Sequence, residues 1–201
     1  NCNQKNQSIA FISSGPTFGT NKNEPIFDKI KVKTDDFFLP EKNLLPILSN
    51  YCKKNKLKLK ILARSKSKEA FSYEKEFYKK ILINEEFEFL GTSSFDTIYK
   101  LSDISALTVS IYSAFGLECL ARGNRTIIFN VRDKATKVES LNLFWSDNKI
   151  SAKGPFWSDE IVEEEVDRVL DFSLKCSEIK WKKSLEAIKP FLTQYDNENK
   201  S

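Results

Sequence analysis

Short apolar runs alternate with helical stripes along most of this 201-residue chain. Ser8 to Ser13 (SIAFIS) reads as a strand, and the Gly- and Pro-punctuated stretch from Ser14 to Asn23 as the loop that leaves it. Between Glu24 and Leu39 the pattern fits a strand or an ordered loop equally well. From Pro40, a residue that the first helical turn tolerates, Leu44, Leu45, Leu48, Tyr51 and Cys52 recur at helical spacing to about Lys54. Leu57 to Ala63 (LKLKILA) is a strand that alternates and then turns continuously apolar. A helix follows from Lys68 to Ile83, a strand from Phe87 to Leu90, and a short helix from Phe95 to Leu101. Ala106 to Ile111 is the fourth strand, Ala114 to Arg122 a helix stopped by Gly123, and Thr126 to Asn130 the fifth strand. Lys134 to Pro155 reads as a loop, followed by two amphipathic helices. Ser158 or Asp159 is expected to cap the first, with Val162, Val166, Val169 and Leu170 as its buried stripe. Trp181, Leu185, Ile188 and Leu192 form the stripe of the second, and the polar tail from Gln194 is expected to fray.

Strands alternating with helices predict an α/β fold: a Rossmann-like parallel sheet with helices on both faces and amphipathic helices at the C-terminus. The length suits one core and is too short for two full-sized α/β domains. The expected organisation is therefore one Rossmann-like domain over 1–201. It comprises an irregular N-terminal region (1–39), a βα core (40–133), a loop with C-terminal helices (134–193) and a frayed tail (194–201). Right-handed crossovers bring the strand-to-helix loops to one edge of such a sheet, where ligands bind. Those loops are Ser13–Gly19, Arg64–Lys68, Gly91–Ser94, Ser110–Ser113 and Asn130–Asp133.

Composition narrows the chemistry. Hydrophobic content of 40% with 30% charged residues fits a soluble globular protein. With 32 basic against 28 acidic side chains, there is no nucleic-acid footprint. The lysines between 53 and 68 read as a solvated rim. The chain contains no histidine, which excludes a histidine base and any Ser-His-Asp triad and removes the common zinc sites. Cys2, Cys52, Cys119 and Cys176 form no C-x-x-C pair and are expected to be reduced thiols of a cytoplasmic protein. No metal ligand set and no cofactor is assigned. No apolar run approaches the ~20 residues of a membrane span, and the start NCNQKNQ lacks a signal-peptide core. The chain also has no methionine, not even a first one, so it is expected to be a fragment, a trimmed chain or an incompletely transcribed sequence.

The segment Phe87 to Asn130 concentrates the candidate chemistry. Glu118 is the one carboxylate in an otherwise small, apolar helix, and Ser110, Ser113 and Ala114 stand where that helix begins. Unsatisfied N–H groups and the positive dipole end at such a start favour a phosphate. Glu118 has two readings: a surface ion pair with Arg122, worth a few tenths of a kcal/mol, or an acceptor for a ribose diol. Ser113 reads first as an N-cap, a role that can coexist with phosphate binding through the amides of Ala114 and Phe115. Arg64, directly after a buried strand, is either a diphosphate-neutralising cation or an exposed neighbour of Lys66 and Lys68. Gly91 and Thr92 either admit a base close to the backbone or simply form a turn. Neither G-x-G-x-x-G nor G-x-x-x-x-G-K-[ST] occurs, so dehydrogenase and P-loop readings lose their main support.

Three features together carry a resemblance. A basic residue, Arg64, follows an early strand; FEFLGTSSFDTIYKLSD runs strand, Gly, short helix, Ser-Asp; SIYSAFGLECLARGNRTIIF is a small-residue loop and a helix with a Glu. In these, Ile61 to Asn130 resemble the C-terminal, donor-binding domain of GT-B type glycosyltransferases. More narrowly, EKEFYKKIL, SAFGLECLARGNR and GPFWSDE are similar to bacterial proteins assigned to surface-carbohydrate or O-antigen biosynthesis. The resemblance implies metal-independent sugar transfer from a nucleoside-diphosphate sugar. Glu118 would meet the ribose, Ser113 and the following amides the phosphates, Arg64 the diphosphate, and Gly91 and Thr92 the base. It also implies a carbohydrate acceptor and a catalytic base supplied by a missing or partner domain, so no catalytic residue is assigned in this chain. Two departures stand out: no second Glu lies seven residues before Glu118, and the His-Pro motif of CMP-sialic-acid transferases is absent. The alternatives are a nucleotide-sugar epimerase-like enzyme and a non-catalytic binding or assembly module of a polysaccharide pathway. A complete upstream domain bearing an acidic or histidine base would favour the transferase.

Overall fold

A computed structural model of the chain describes residues 6–16, 24–91, 95–111, 113–142 and 150–188. Strand β1 (Asn6–Ile12) opens the fold, and a small antiparallel hairpin, β2 (Ile26–Phe27) and β3 (Ile30–Lys31), follows it. Asp28 and Lys29 turn this hairpin with positive φ at both positions, as a two-residue hairpin loop requires. A short helix α1 (Thr34–Phe37) leads into α2 (Leu39–Lys54), and then β4 (Lys58–Leu62), α3 (Lys68–Ile81) and β5 (Glu88–Leu90). The chain crosses back through α4 (Phe95–Ile104), β6 (Ser105–Ser110), α5 (Ala114–Ala121), β7 (Thr126–Phe129) and α6 (Arg132–Thr136). A 3-10 turn (Glu139–Leu141), β8 (Trp157–Ser158), α7 (Glu163–Lys175) and α8 (Glu178–Glu186) complete it.

All six large-sheet strands run parallel in the order β5-β4-β1-β6-β7-β8. Strand β1 sits at the centre, pairing Ser8 to Ile12 with Lys58 to Leu62 on one side and Ile9 to Phe11 with Leu107 to Val109 on the other. Its Ile9, Ala10 and Phe11 are fully buried because helices cover both faces. Helix α2 packs on α3 and α7, while α4 packs on α5, and right-handed crossovers put these two sets on opposite faces. Numbered by order along the chain, the sheet reads 3-2-1-4-5-6, the doubly wound Rossmann order. The direction of winding reverses between β1 and β6, and the crevice at their C-terminal ends is the topological switch point where such sheets bind ligands.

The C-terminal third differs from the sequence reading. The stretch expected to be a loop holds α6 and the 3-10 turn, and Ser158, expected as a helix cap, lies in the sixth strand. Helix α7 starts four residues later behind Val162, which occupies the N-cap position and is 51% exposed instead of joining the buried Val166, Val169 and Leu170. The physical reason is pairing: Asn130 N donates to Ser158 O (2.8 Å), so the backbone is committed to β7 before a helix can begin. Trp181 and Ile188 are buried as expected on or just beyond α8, while Leu192 lies outside the described residues. Among the described residues, no helix is long and apolar enough to cross a membrane.

Candidate functional site

The switch point is built from the ends of two buried strands. Ser110, the last residue of β6, is 1% exposed, and its Oγ has no hydrogen-bond partner among the described residues. It lies under the first turn of α5, where Gly116 leaves room for it: a Cβ there would stand 2.7 Å from both Cβ and Oγ of Ser110. Ser113 takes the N-cap position with extended backbone, yet its hydroxyl makes no capping bond. The capping role open to Ser113 is therefore not used, and the first amides of α5, those of Ala114 and Phe115, have no acceptor within the helix. Ala114 is exposed. Hydroxyls and amides converge at this helix start, a donor-rich end suited to an anion.

Arg64 follows β4, the strand on the other side of β1, so it stands roughly 10 Å across the crevice from Ser110 at the usual strand spacing. It is exposed, its Nη1 reaches Ser14 O (3.4 Å), and its stem lies along Gly15. Gly15 has φ +71°, and any Cβ on it would come within 3.0 Å of Arg64 Cδ. The loop carrying Arg64 is fixed from below by Glu74. This fully buried carboxylate accepts from the amides of Arg64 (3.0 Å) and Ser65 (2.9 Å). Gly91 follows β5, three strand spacings or roughly 14 Å from β6, with the Phe71 ring 3.2 Å from where its Cβ would be. Thr92 lies outside the described residues.

Glu118 sits one turn inside α5 on its exposed surface and accepts a hydrogen bond from Tyr99 Oη of α4. The expected ion pair with Arg122 is not what holds that cation. Arg122 Nη2 bonds Asp103 Oδ2 (2.6 Å), and its guanidinium lies 4.9 Å from the Tyr99 ring centroid. Sequence spacing within one helix cannot register this, because Asp103 belongs to the neighbouring helix. Tyr99 escaped the sequence reading for the same reason.

Beneath the site lies a buried polar network that no spacing along the chain announces. Arg132, after β7, is fully buried and forks onto Glu41 at the start of α2, with Nη2–Oε1 at 2.6 Å and Nη1–Oε2 at 3.1 Å. It also donates to Ser14 Oγ (2.9 Å) and to Phe37 O, and packs 4.2 Å from the Phe37 ring centroid. Tyr78 Oη donates to Ser13 Oγ (2.8 Å), which also accepts from Gly15 N (3.0 Å). Burial and the nearby carboxylate of Glu41 raise the Tyr78 pKa, so this phenol stays a donor. A guanidinium with both oxygens of its carboxylate satisfied offsets much of the desolvation cost that an unpaired buried charge would carry. These bonds tie the end of β1 to α2, α3 and β7, which sets one wall of the crevice. In sequence, Glu41 and Arg132 look like ordinary surface charges 91 residues apart.

Among the described residues, no group of three or more His, Cys, Asp or Glu stands close enough to hold a metal. A sequence model of one protein family, described as "putative O-antigen biosynthesis protein", matches residues 1–201. No curated protein and no solved structure matches the chain.

Proposed function

Because the chain belongs over its whole length to that O-antigen biosynthesis family, we propose that it binds a nucleoside-diphosphate sugar at the switch point. In this reading it is the donor-binding domain of a GT-B type glycosyltransferase in surface-polysaccharide biosynthesis. One observation carries it: at the β1–β6 crevice, the start of α5 offers uncapped amides, an unused Ser113 hydroxyl and a buried, unpartnered Ser110 hydroxyl. The diphosphate lies against that helix start, where the amides of Ala114 and Phe115 donate to phosphate oxygens. Arg64 approaches from the β4 side and neutralises charge as the diphosphate leaves. Glu118, one turn along, accepts from the ribose hydroxyls. The sugar acceptor and the base come from another domain, as they do in the transferases that this chain resembles.

Calorimetric titration of the folded chain with UDP, GDP, CDP, ADP and TDP tests the proposal. At least one of them is expected to bind, more weakly after Arg64→Ala. Silence across the panel would rule the site out.

A further inference from the structure

The contacts around Glu118 divide labour in a way that neither helix alone requires. Tyr99 of α4 lies between Phe115 in the first turn of α5 and Arg122, the residue at that helix's C-cap. Its ring meets Phe115 at a centroid distance of 5.2 Å and lies 4.9 Å from the Arg122 guanidinium. Its hydroxyl donates to Glu118 Oε2. Arg122 in turn is drawn aside by Asp103 (2.6 Å), whose other oxygen accepts from Asn124 Nδ2 (2.6 Å). The cation that helical spacing would set against Glu118 is thus engaged elsewhere, and a neutral donor takes its place.

That exchange matters for recognition. A guanidinium fork occupies both carboxylate oxygens and cancels their charge. A phenol takes one of about four acceptor sites on the carboxylate and leaves it anionic. The sites that remain suffice for two adjacent hydroxyls. Because the side chain is already held, binding need not order a free Glu, a cost equivalent to about 10- to 30-fold in affinity. The bond to Glu118 also raises the Tyr99 pKa, which keeps the phenol protonated and donating at neutral pH.

Resting on the donor-site reading above, we infer that Tyr99 is a positioning residue that presents the Glu118 carboxylate to a vicinal diol, so that the site selects ribonucleotides over 2′-deoxyribonucleotides. Tyr99 itself does not touch the ligand; it acts through Glu118.

The test takes whichever of UDP, GDP, CDP or ADP binds the wild-type chain most tightly, together with its 2′-deoxy form. Affinities are measured by calorimetry for wild type, Tyr99→Phe, Glu118→Gln and the double variant. Tyr99→Phe keeps the ring and its packing, and thermal unfolding checks that the fold is intact. The wild type is expected to prefer the ribonucleotide about tenfold or more, as a hydrogen bond to a charged group predicts. Tyr99→Phe should lose most of that preference while holding its affinity for the 2′-deoxy form. Adding it to Glu118→Gln should cost nothing further. Equal weakening of both nucleotides, an unchanged preference, or losses that add in the double variant would overturn the role of Tyr99 and leave the donor site standing. Binding of TDP alone, which lacks the 2′-hydroxyl, would overturn the diol preference and leave the donor site standing; binding of none of the five overturns the donor site, and this inference with it.

Discussion

At Gly116 a missing side chain decides how α5 meets the sheet. An alanine there gains helix propensity of about 1 kcal/mol. Its Cβ would lie 2.7 Å from Ser110 Cβ and 3.2 Å from Ile128 Cδ1. Ser110 Cβ is fixed to a strand paired on both sides, so it cannot withdraw as a flexible tip would. Overpacking of that kind costs about 1–3 kcal/mol, and the strain wins. Gly116→Ala should therefore lower the melting temperature and, on the donor-site proposal, weaken nucleotide binding with it, since the helix start must lift off the serine. A melting temperature that holds or rises would mean that α5 slides freely and that its first turn is not set by β6.

Helix α7 is anchored at its far end by one residue from outside it. Arg125, just before β7, donates to Ser173 O (2.6 Å) and Cys176 O (2.9 Å), pairs with Glu178 (3.3 Å) and lies over the Trp181 ring. A cation at a helix C-terminus satisfies its orphan carbonyls and suits its dipole. Removing a charge-assisted donor of this kind costs about 1.5–3 kcal/mol. Arg125→Ala should raise amide hydrogen exchange across α7 and α8 while β1, β4 and β6 stay protected. Arg125→Lys should show much the same loss, because an ammonium lacks the planar fork. Uniform loss of protection would show that these helices unfold only with the sheet. Strand β1 and the elements from α2 to β7 are legible because their apolar runs and stripes lie within single elements, as in Leu57–Ala63 or Leu44–Cys52, whereas β2, β3 and α1 fall in Glu24–Leu39, where the pattern leaves strand and loop open. Two-residue β8 has no periodicity to read, and it exists because Trp157 and Ser158 find Ile128 and Phe129 across the sheet. Ser113 and Glu118 could be picked out as candidates for the same reason that β7 could: their signal is local. The partners that define the site, Tyr99 on Glu118 and Glu41 on Arg132, join distant segments and leave no mark in spacing.

For the molecule as a whole, buried neutral acids and paired carboxylates bound the pH range of stability. Burial pushes the Cys52 thiol up to about 12 and the Cys119 thiol up to about 11. Folded values above the ordinary thiol value of about 8.5 give stability that is fully present below it and lost as pH rises through the folded values. On the acid side, Lys175 and Tyr51 hold Asp171 low, Lys53 and Ser49 hold Glu85 low, and Arg168 holds Glu165 low. Their contribution is present above the ordinary carboxylate range and fades as pH falls through the folded values. Urea midpoints should thus form a plateau between about pH 5 and 8 and fall on either side. Cys119→Ala should flatten the alkaline limb by about 1.4 kcal/mol per pH unit between about pH 9 and 11, and an unaltered slope there would mean that this thiol ionises without unfolding. The central place of β1 has a further consequence, for synthesis. As the chain is made, β1 must wait for Lys58–Leu62 and then for Ser105–Ser110 before both its edges are paired. At about 5–20 residues per second, those roughly one hundred residues take about 5–20 s. Through that interval Ile9 and Phe11 have a partner strand on one side at most, so the yield of intact protein depends on how the half-made chain is shielded more than on how stable the finished one is.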